Sequence, residues 1–497
     1  MNHVAAACAA LLVALASPAR GASTPDFHAL TKLIQQTKDA TAYPSGTAVA
    51  VVKDGEVIYQ GYFGFADMQA RTPVTRDTVF YIASDTKPFF ALNVLMKEAA
   101  GQLDTHMSLQ QMFPATRFSG IDAQVVTLRD LLVHDSGIDN QPLAWATAFS
   151  GIHDEQSLTG LVATSRADPE AARGEFKYTN VGYNIASVWL DRRFAMPWQT
   201  QLQRAIFQPL GMRHTSAFIS QAEAAGWPLA KPYSFISTQP REPLYLRKFD
   251  DTMQAAGGLV STAPDLARFL LAQLAVRDDS FAHAVIERSQ QPQVKLDARY
   301  MDFPRSGYAW GWYTGIYKGH TLLHHFGSFA GFHTQLSFMP DAHIGLVVLS
   351  NEDFLGAQLG NLIADYVYGT LLHQPGITAE VTRRFEQLQA KARTVPAMVA
   401  RQRAAIASRP WKLSLPRTAY AGTYSTPLLG DMSVTLGDRQ SMLIRWGRVA
   451  STATAGVKPD QVRVEFAPGT GNFLGFAVKD GAVAAIEFEN MVFERAR

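Results

Sequence analysis

The chain has 497 residues, 47% of them hydrophobic, and its 45 lysines and arginines nearly balance its 43 aspartates and glutamates. This composition is typical of a well-packed globular protein and excludes a largely disordered chain. The charge balance and the lack of a long basic stripe argue against nucleic acid as a partner.

The first 22 residues have the pattern of a secretory signal peptide. The apolar run from Val4 to Ala16 has the right length and is too short to span a bilayer, and small residues up to Ala22 offer cleavage points. An apolar N-terminal helix of the mature protein is the alternative, because no lysine or arginine precedes the apolar run, as it would in a typical signal peptide. Cys8 is the only cysteine, so its removal would leave no disulfide and no cysteine-ligated metal. We expect an exported, soluble protein, periplasmic or secreted.

Strand-like and helix-like patterns alternate over residues 26–372. "GTAVAVVKDGEVIYQGYFGFAD" predicts a hairpin at Asp54-Gly55, because this pair supplies the positive φ of a tight turn. "PFFALNVLMKEAAGQLD" predicts a helix that ends near Gly101, and "FHTQLSFMPDAHIGLVVLSN" predicts a second hairpin at Pro340. Strands at both ends and a mostly helical middle predict an α+β fold: one antiparallel sheet with flanking helices and a helical region beside it.

The remaining chain changes character twice. Residues 373–410 are rich in alanine, arginine and glutamine and are interrupted at Pro396, which predicts a helical linker. From Trp411 onward, short β-patterned runs are separated by turn residues. We therefore expect a small antiparallel β-barrel or sandwich over residues 411–497.

The stretch "YIASDTKPFF" places Ser84 three residues before Lys87. We interpret Ser84 as the N-cap of a helix with Lys87 on the same face, so that hydroxyl and ammonium can meet. A lysine whose pKa is lowered can take the proton of a serine and activate it as a nucleophile. Taken alone, the motif is better explained by a capped helix with a solvated lysine, because such a short match arises by chance. Asp85 and Thr86 are interpreted as capping and packing residues.

A second motif, "KYTN", contains Tyr178 and Asn180. A tyrosine oxygen near an ammonium group can carry a proton between a nucleophile and a leaving group. The asparagine can donate to a substrate amide or to the lysine. An ordinary loop is the alternative for this motif alone.

A third motif, "HHFGSF", contains His325, Gly327 and Ser328. The glycine would let a ligand lie against the strand, and the N–H groups of Ser328 and Ser84 would form an oxyanion hole. We place His325 at the edge of the site as a hydrogen-bond donor or partial positive charge. His324 competes for that role, and either histidine can be an ordinary strand residue.

These motifs, in this order, resemble those of the serine β-lactamase and penicillin-binding-protein superfamily. The branch with class C β-lactamases, DD-peptidases, esterases and D-aminopeptidases is the most similar, since "VTLRDLLVHDSGI", "IFQPLGMRHTSAF" and "QAAGGLVSTAPDLARFL" look like its segments. The resemblance covers about residues 26–372 and implies a β-lactamase/transpeptidase-like fold. The tail resembles the lipocalin-like β-domain appended to such hydrolases. His134 and Ser136 are interpreted as structural, holding the turn after "TLRDLL".

The resemblance also implies roles for single residues. Ser84 would attack a carbonyl and become acylated, while Lys87 and Tyr178 share the general-base role and protonate the leaving group. Asn180 would orient Lys87 and the substrate amide, and the N–H groups of Ser84 and Ser328 would hold the oxyanion. Water would then release the acyl group.

The third motif departs from the pattern, because His325 stands where β-lactamases usually carry lysine. A histidine is largely neutral near pH 7, so a fixed charge for a substrate carboxylate is missing. We therefore expect an esterase or amidase first, a DD-peptidase or D-aminopeptidase second and a weak β-lactamase third. A catalytically silent binding protein on the same scaffold is the alternative from another class. The expected partner is a small ester, amide or short peptide, with no cofactor and no metal.

Overall fold

The computed structural model describes residues 26–274 and 282–496. The predicted signal peptide and Cys8 lie outside the described residues. Within this described part of the chain, no helix is both long and apolar enough to cross a membrane.

Helices are concentrated in the middle of the chain and in the segment that precedes the C-terminal strands. In chain order they are α1 His28–Ala40, α2 Lys87–Ala99, α3 Leu109–Met112, α4 Leu128–Leu132, α5 Gln141–Trp145, α6 Glu155–Ala163, α7 Val181–Phe194, α8 Trp198–Leu202, α9 Ile219–Ala224, α10 Ala263–Leu274, α11 His283–Gln290, α12 Leu355–Leu371, α13 Ile377–Ala392, α14 Val395–Ala407 and α15 Arg417–Tyr420.

Eight strands of the described residues form the main antiparallel sheet. They are β1 Thr47–Lys53, β2 Glu56–Phe63, β3 Val294–Tyr300, β4 Phe303–Tyr308, β5 Tyr313–Tyr317, β6 His320–Phe329, β7 Phe332–Met339 and β8 Ile344–Ser350. Their order across the sheet is β2-β1-β8-β7-β6-β5-β4-β3. Strands from the two ends of the region meet where β1 pairs with β8, so the predicted α+β sheet, assembled from both ends, is confirmed.

The predicted turns and helix ends also agree with the structure. The first hairpin turns through Asp54 and Gly55, both at positive φ, and the second turns through a short 3₁₀ segment that begins at Pro340. Helix α2 ends two residues before Gly101, and Pro396 lies in the first turn of α14, where a missing N–H costs nothing.

The central strands of the main sheet are buried on both faces. Along β1, Val49 and Val51 belong to one apolar core and Ala48 and Ala50 to the other, because successive side chains point to opposite faces. Helices α1, α12 and α13 cover the first face. The predicted linker therefore begins as a packed layer, since α13 buries the side chain of Phe385 completely.

Nine C-terminal strands form a second antiparallel sheet. They are β9 Gly422–Thr426, β10 Gly430–Leu436, β11 Met442–Trp446, β12 Val449–Thr452, β13 Thr454–Ala455, β14 Gln461–Val464, β15 Asn472–Lys479, β16 Ala482–Phe488 and β17 Met491–Arg495. The two edge strands, β12 and β13, are consecutive in the chain and are separated by Ala453 alone. The sheet is thus nearly closed, and the predicted barrel is confirmed in preference to a sandwich.

The C-terminal sheet packs on the helical region through aromatic rings. The ring of Trp145, at the end of α5, lies 4.8 Å from that of Phe488 and 5.8 Å from that of Trp446, measured between centroids. The turn after Trp446 approaches so closely that a Cβ added at Gly447 would lie 2.1 Å from the carbonyl oxygen of Ser150.

Removal of the Trp145 ring should therefore destabilise the protein. We expect Trp145→Ala to lower the free energy of unfolding by about 3–5 kcal/mol, the usual cost of deleting a buried aromatic ring. Urea denaturation followed by circular dichroism measures this change. Val125→Ala, at a side chain that is 46% exposed, is the control and should change stability by less than about 0.5 kcal/mol. Equal stability of Trp145→Ala and the wild type would contradict the packing argument.

Candidate active site

Ser84 lies at a sharp turn between a short strand and helix α2. Ala83 adopts a left-handed conformation with φ of 46°, which costs roughly 1–2 kcal/mol for a residue other than glycine. Residues Ala83–Thr86 form a 3₁₀ turn, and α2 begins only at Lys87. The predicted N-cap role of Ser84 is wrong, because neither of these helical segments has a side-chain cap. Ser84 is partly exposed, whereas its neighbours in the turn are buried.

The ammonium group of Lys87 joins three segments that are far apart in the sequence. Its Nζ donates to Ser84 Oγ at 3.1 Å, to Asn180 Oδ1 at 2.9 Å and to the backbone carbonyl of Ala256 at 2.7 Å. The ammonium form of lysine has three N–H donors, so all of them are used in that form, whereas in the neutral amine the lone pair of Nζ is free to accept the hydrogen of Ser84 Oγ. The predicted meeting of Ser84, Lys87 and Asn180 is confirmed. Ala256 was missed by sequence reasoning, because a backbone carbonyl leaves no signal in the choice of side chain.

The surroundings of Lys87 favour the neutral amine. The side chain is 0% exposed, and burial lowers its pKa well below the usual value, while the carboxyl group of Asp85 opposes this effect. The Nζ also lies 4.7 Å from the ring centroid of Tyr178 and 5.5 Å from that of Tyr183. An apolar and aromatic wall thus replaces water around the amine.

The hydroxyl of Tyr178 lies close to Ser84, near enough for the serine to oppose in part the rise of the phenol pKa. Burial raises the pKa of Tyr178 well above its usual value, with a further contribution from Tyr313, so the phenol holds its proton. The hydroxyl groups of Tyr178 and Ser84 and the amine of Lys87 therefore lie together, with a hydrogen bond of 3.1 Å between Lys87 and Ser84.

His134 contacts the ring of Tyr178 and the backbone beside it, in addition to its place in the turn after α4. It has a positive φ of 65°, and its ring stacks against Tyr178 at 4.5 Å between centroids. Its Nδ1 accepts from the N–H of Thr179 at 3.4 Å, and its Nε2 lies 3.1 Å from the hydroxyl of Tyr308. The predicted structural role is right, and the structure adds that His134 fixes the backbone next to Tyr178.

Gly327 is required by the protein itself. A Cβ at this position would lie 1.9 Å from the carbonyl oxygen of Ile82 and 2.3 Å from Thr334 Oγ1. The prediction that a ligand occupies the space beside this glycine is wrong, because the strand before Ser84 fills it. Ser328 follows with an exposed side chain near the end of β6. Its part in an oxyanion hole stays a prediction.

His325 lies inside the wall of the site. The prediction of an edge position is wrong, because the side chain is 1% exposed and its ring lies within 6.3 Å of the rings of Tyr178, Tyr308 and Tyr313. Burial holds the pKa of His325 well below its usual value, and charge repulsion from Lys87 lowers it further. The imidazole is neutral, as expected from the sequence.

The competing histidine, His324, is buried among other rings. Its centroid lies 5.2 Å from that of Phe303 and 5.1 Å from that of Phe326. Among the described residues, neither of its ring nitrogens has a hydrogen-bond partner. His324 is thus a packed strand residue.

Asp85 is a buried carboxyl group within the site. The predicted capping role is wrong: Oδ2 accepts from Thr334 Oγ1 at 2.7 Å, and Oδ1 lies 3.7 Å from His325 Nδ1. Burial raises the pKa of Asp85 well above its usual value. Its neighbour Thr86 does pack as predicted, since Thr86 Oγ1 donates to the carbonyl of Ala83 at 2.7 Å.

Comparison with known proteins identifies the family. The profile of the family described as Beta-lactamase matches residues 30–365. Because this match spans more than half of the chain, the chain belongs to the β-lactamase family of serine hydrolases. The sequence is also 27% identical over 415 residues to "Unguisins hydrolase ungD" of Aspergillus violaceofuscus, a match that covers 76% of this chain and 71% of the fungal protein.

Two solved structures have a similar fold. The octameric penicillin-binding protein homologue from Pyrococcus abyssi gives a TM-score of 0.61 at 21% identity and covers 94% of this chain and 100% of its own. EstCE1, described as a hydrolase with promiscuous acyltransferase activity, gives a TM-score of 0.57 at 21% identity. This match covers 69% of this chain and 99% of EstCE1. The first likeness extends through most of the C-terminal sheet, whereas the second does not span the whole chain.

The contact at Gly327 should be essential for activity. We expect Gly327→Ala to lower the rate of p-nitrophenyl acetate hydrolysis by about 100-fold or more, because the new Cβ displaces the backbone that carries Ser84. Gly360→Ala in α12, where the added Cβ meets nothing closer than 3.4 Å, should retain the wild-type rate. A fully active Gly327→Ala variant would show that the spacing between these strands does not position the serine.

Proposed function

We propose that this chain hydrolyses an ester or amide bond through a covalent acyl-enzyme on Ser84. The observation that carries the proposal is the hydrogen bond of 3.1 Å between Lys87 Nζ and Ser84 Oγ at the only partly exposed position of the turn. A serine needs an adjacent base to become a nucleophile. The buried amine is such a base.

Lys87 and Tyr178 have different roles in proton transfer. Burial lowers the pKa of Lys87 and raises that of Tyr178, so the amine is the group that can accept the proton of Ser84. Tyr178 keeps its own proton and lies close to Ser84. It therefore relays a proton from Lys87 to the leaving group, which refines the shared role that the family resemblance implies.

The reaction proceeds in two balanced halves. Ser84 Oγ forms a bond to the carbonyl carbon while its proton passes to Lys87. The bond to the leaving alcohol or amine then breaks, and the leaving group takes that proton by way of Tyr178. In the second half, a water molecule gives one proton to the same pair and its oxygen bonds to the acyl carbon. The bond between that carbon and Ser84 Oγ then breaks, Ser84 Oγ takes the proton back from the pair, and the carboxylic acid leaves. The backbone N–H groups of Ser84 and Ser328 are proposed to bind the oxyanion.

An ester or amide is the favoured substrate class. The neutral, buried His325 offers no fixed positive charge where β-lactamases usually carry lysine. The relatives include a hydrolase of unguisins and a hydrolase with promiscuous acyltransferase activity, which supports acyl chemistry beyond β-lactams. A DD-peptidase or D-aminopeptidase activity is second, and weak β-lactamase activity is third.

Export of the mature chain is a separate proposal. It depends only on the apolar run and small residues of the first 22 positions. N-terminal sequencing of the native protein checks it: a start within residues 17–23 is expected, and an intact N-terminus in the exported fraction would contradict it.

A covalent probe distinguishes an enzyme from a catalytically silent binding protein. We expect a fluorophosphonate to label the wild type on Ser84 and to leave Ser84→Ala unlabelled, because the probe needs an activated serine. Ser328→Ala, which removes a nearby exposed hydroxyl but keeps the backbone N–H, is the matched control and should still be labelled. Fluorescence in a denaturing gel measures labelling. A folded wild type that takes no label would sink the acyl-enzyme proposal.

The pH dependence tests the assignment of the base. We expect kcat/KM for p-nitrophenyl acetate to rise as Lys87 loses its proton and to level off well below pH 10.5, the usual lysine value. Asp85 raises the pKa of Lys87 by charge attraction, so Asp85→Asn should lower that pKa and move the rising limb to lower pH. Asp77→Asn, on the surface, should leave the rising part of the pH profile of kcat/KM unchanged. If Asp85→Asn leaves that part of the profile unchanged or moves it to higher pH, the result would argue against Lys87 as the base.

A further inference from the structure

A cavity of about 240 Å³ lies next to the Ser84 site and is not used in the proposed mechanism. Its walls include the rings of Tyr81, Phe329 and Phe332. Tyr81 precedes Ser84 by three residues and Phe329 follows Ser328 directly, so the segments that carry both members of the predicted oxyanion hole also contribute to the cavity wall. The aromatic walls suit an aryl or alkyl group.

Lys248 brings a cation into this apolar cavity. The residue is 7% exposed and lines the cavity. Its Nζ donates to the backbone carbonyls of Ala148 at 2.8 Å and Thr252 at 3.1 Å, and it lies 3.8 Å from the ring centroid of Phe329. A lysine has three N–H donors, so these two carbonyls leave one for a ligand.

The other cations that line the cavity already have counter-ions. Arg247 pairs with Glu223 at 3.4 Å, and Lys231 pairs with Asp67 at 2.7 Å. Among the described residues, no carboxylate lies within 4.0 Å of Lys248 Nζ. Burial without such a partner lowers the pKa of Lys248 to about 7. An unpaired buried charge is unfavourable, and an anionic ligand would compensate it.

We propose that this cavity is a substrate subsite for an apolar group that ends in a carboxylate, with Lys248 as the counter-ion. The apolar part of the ligand would pack against Phe329 and Phe332, and the carboxylate would accept a charge-assisted hydrogen bond from Lys248 Nζ. As a subsite, it rests on the proposed function. It would place the recognition of a substrate carboxylate here and not at the neutral His325.

Calorimetry on the Ser84→Ala variant tests binding without turnover, so that the result does not depend on the acyl-enzyme chemistry. The probes are 4-phenylbutyrate and 4-phenylbutan-1-ol, which share the apolar part and differ in charge. We expect the carboxylate to bind about tenfold more tightly than the alcohol, as one hydrogen bond to a charged group allows. Equal affinity of the two probes would overturn the proposal without use of any Lys248 variant.

Variants of lysine locate the site. Added to Ser84→Ala, Lys248→Met should weaken binding of 4-phenylbutyrate by about tenfold and leave the alcohol unchanged. Lys97→Met is the matched control, because Lys97 also lies over an aromatic ring, that of Phe194 at 3.9 Å, but is remote from the cavity lining. Unchanged binding by Lys248→Met, or an equal loss in Lys97→Met, would refute the assignment.

Competition shows whether the cavity belongs to the active site. In the wild type, 4-phenylbutyrate should raise the KM for the mono-p-nitrophenyl ester of an aliphatic dicarboxylic acid, whose free carboxylate would pair with Lys248, and leave kcat unchanged. Binding by calorimetry without such competition would show that the cavity is not a substrate subsite. If the wild type hydrolyses no ester and takes no fluorophosphonate label, the proposed function fails, whereas the calorimetric comparison still reports on Lys248.

Discussion

The buried amine of Lys87 is the interaction on which the site depends. Its three hydrogen bonds reach Ser84 on the turn before α2, Asn180 at the start of α7 and the carbonyl of Ala256. Removal of an ammonium group from water is costly, and these acceptors offset part of that cost. The remaining cost of burying the charge lowers the pKa of Lys87. The residue that links the three segments can therefore also act as a base. One residue thereby assembles the site and gives it reactivity.

The main sheet supplies the rigidity that this arrangement needs. Strand β6 lies against the backbone of Ile82 because Gly327 has no side chain, and Oγ1 of Thr334 on the neighbouring strand lies 3.0 Å from that same carbonyl oxygen. The residue before the strained turn at Ala83 is therefore held by two adjacent strands. Asp85, hydrogen-bonded to Thr334 at 2.7 Å, adds a carboxyl group beside Lys87 that raises the pKa of the base against the effect of burial.

Much of the fold and the three motifs could be predicted from the sequence. Asp54-Gly55 and Pro340 mark their turns by local backbone chemistry, and the ordered motifs predict that Ser84, Lys87 and Asn180 meet. Long-range packing could not be predicted. Burial of His325 depends on tyrosines from other segments, and the true use of Gly327 depends on a strand that lies far away in the sequence. The contact with Ala256 involves a backbone atom, which periodicity and motifs do not reveal.

The central claim is that Ser84 becomes acylated during turnover. The most direct measurement is mass spectrometry of the protein quenched with acid during steady-state hydrolysis of p-nitrophenyl acetate, followed by peptide mapping. The account predicts one acetyl group, located on the peptide that contains Ser84, which disappears when the substrate is exhausted. The measurement is made under conditions in which deacylation limits the rate. Rapid hydrolysis with no acetylated protein at any time point would contradict the account, and so would an acetyl group on another residue.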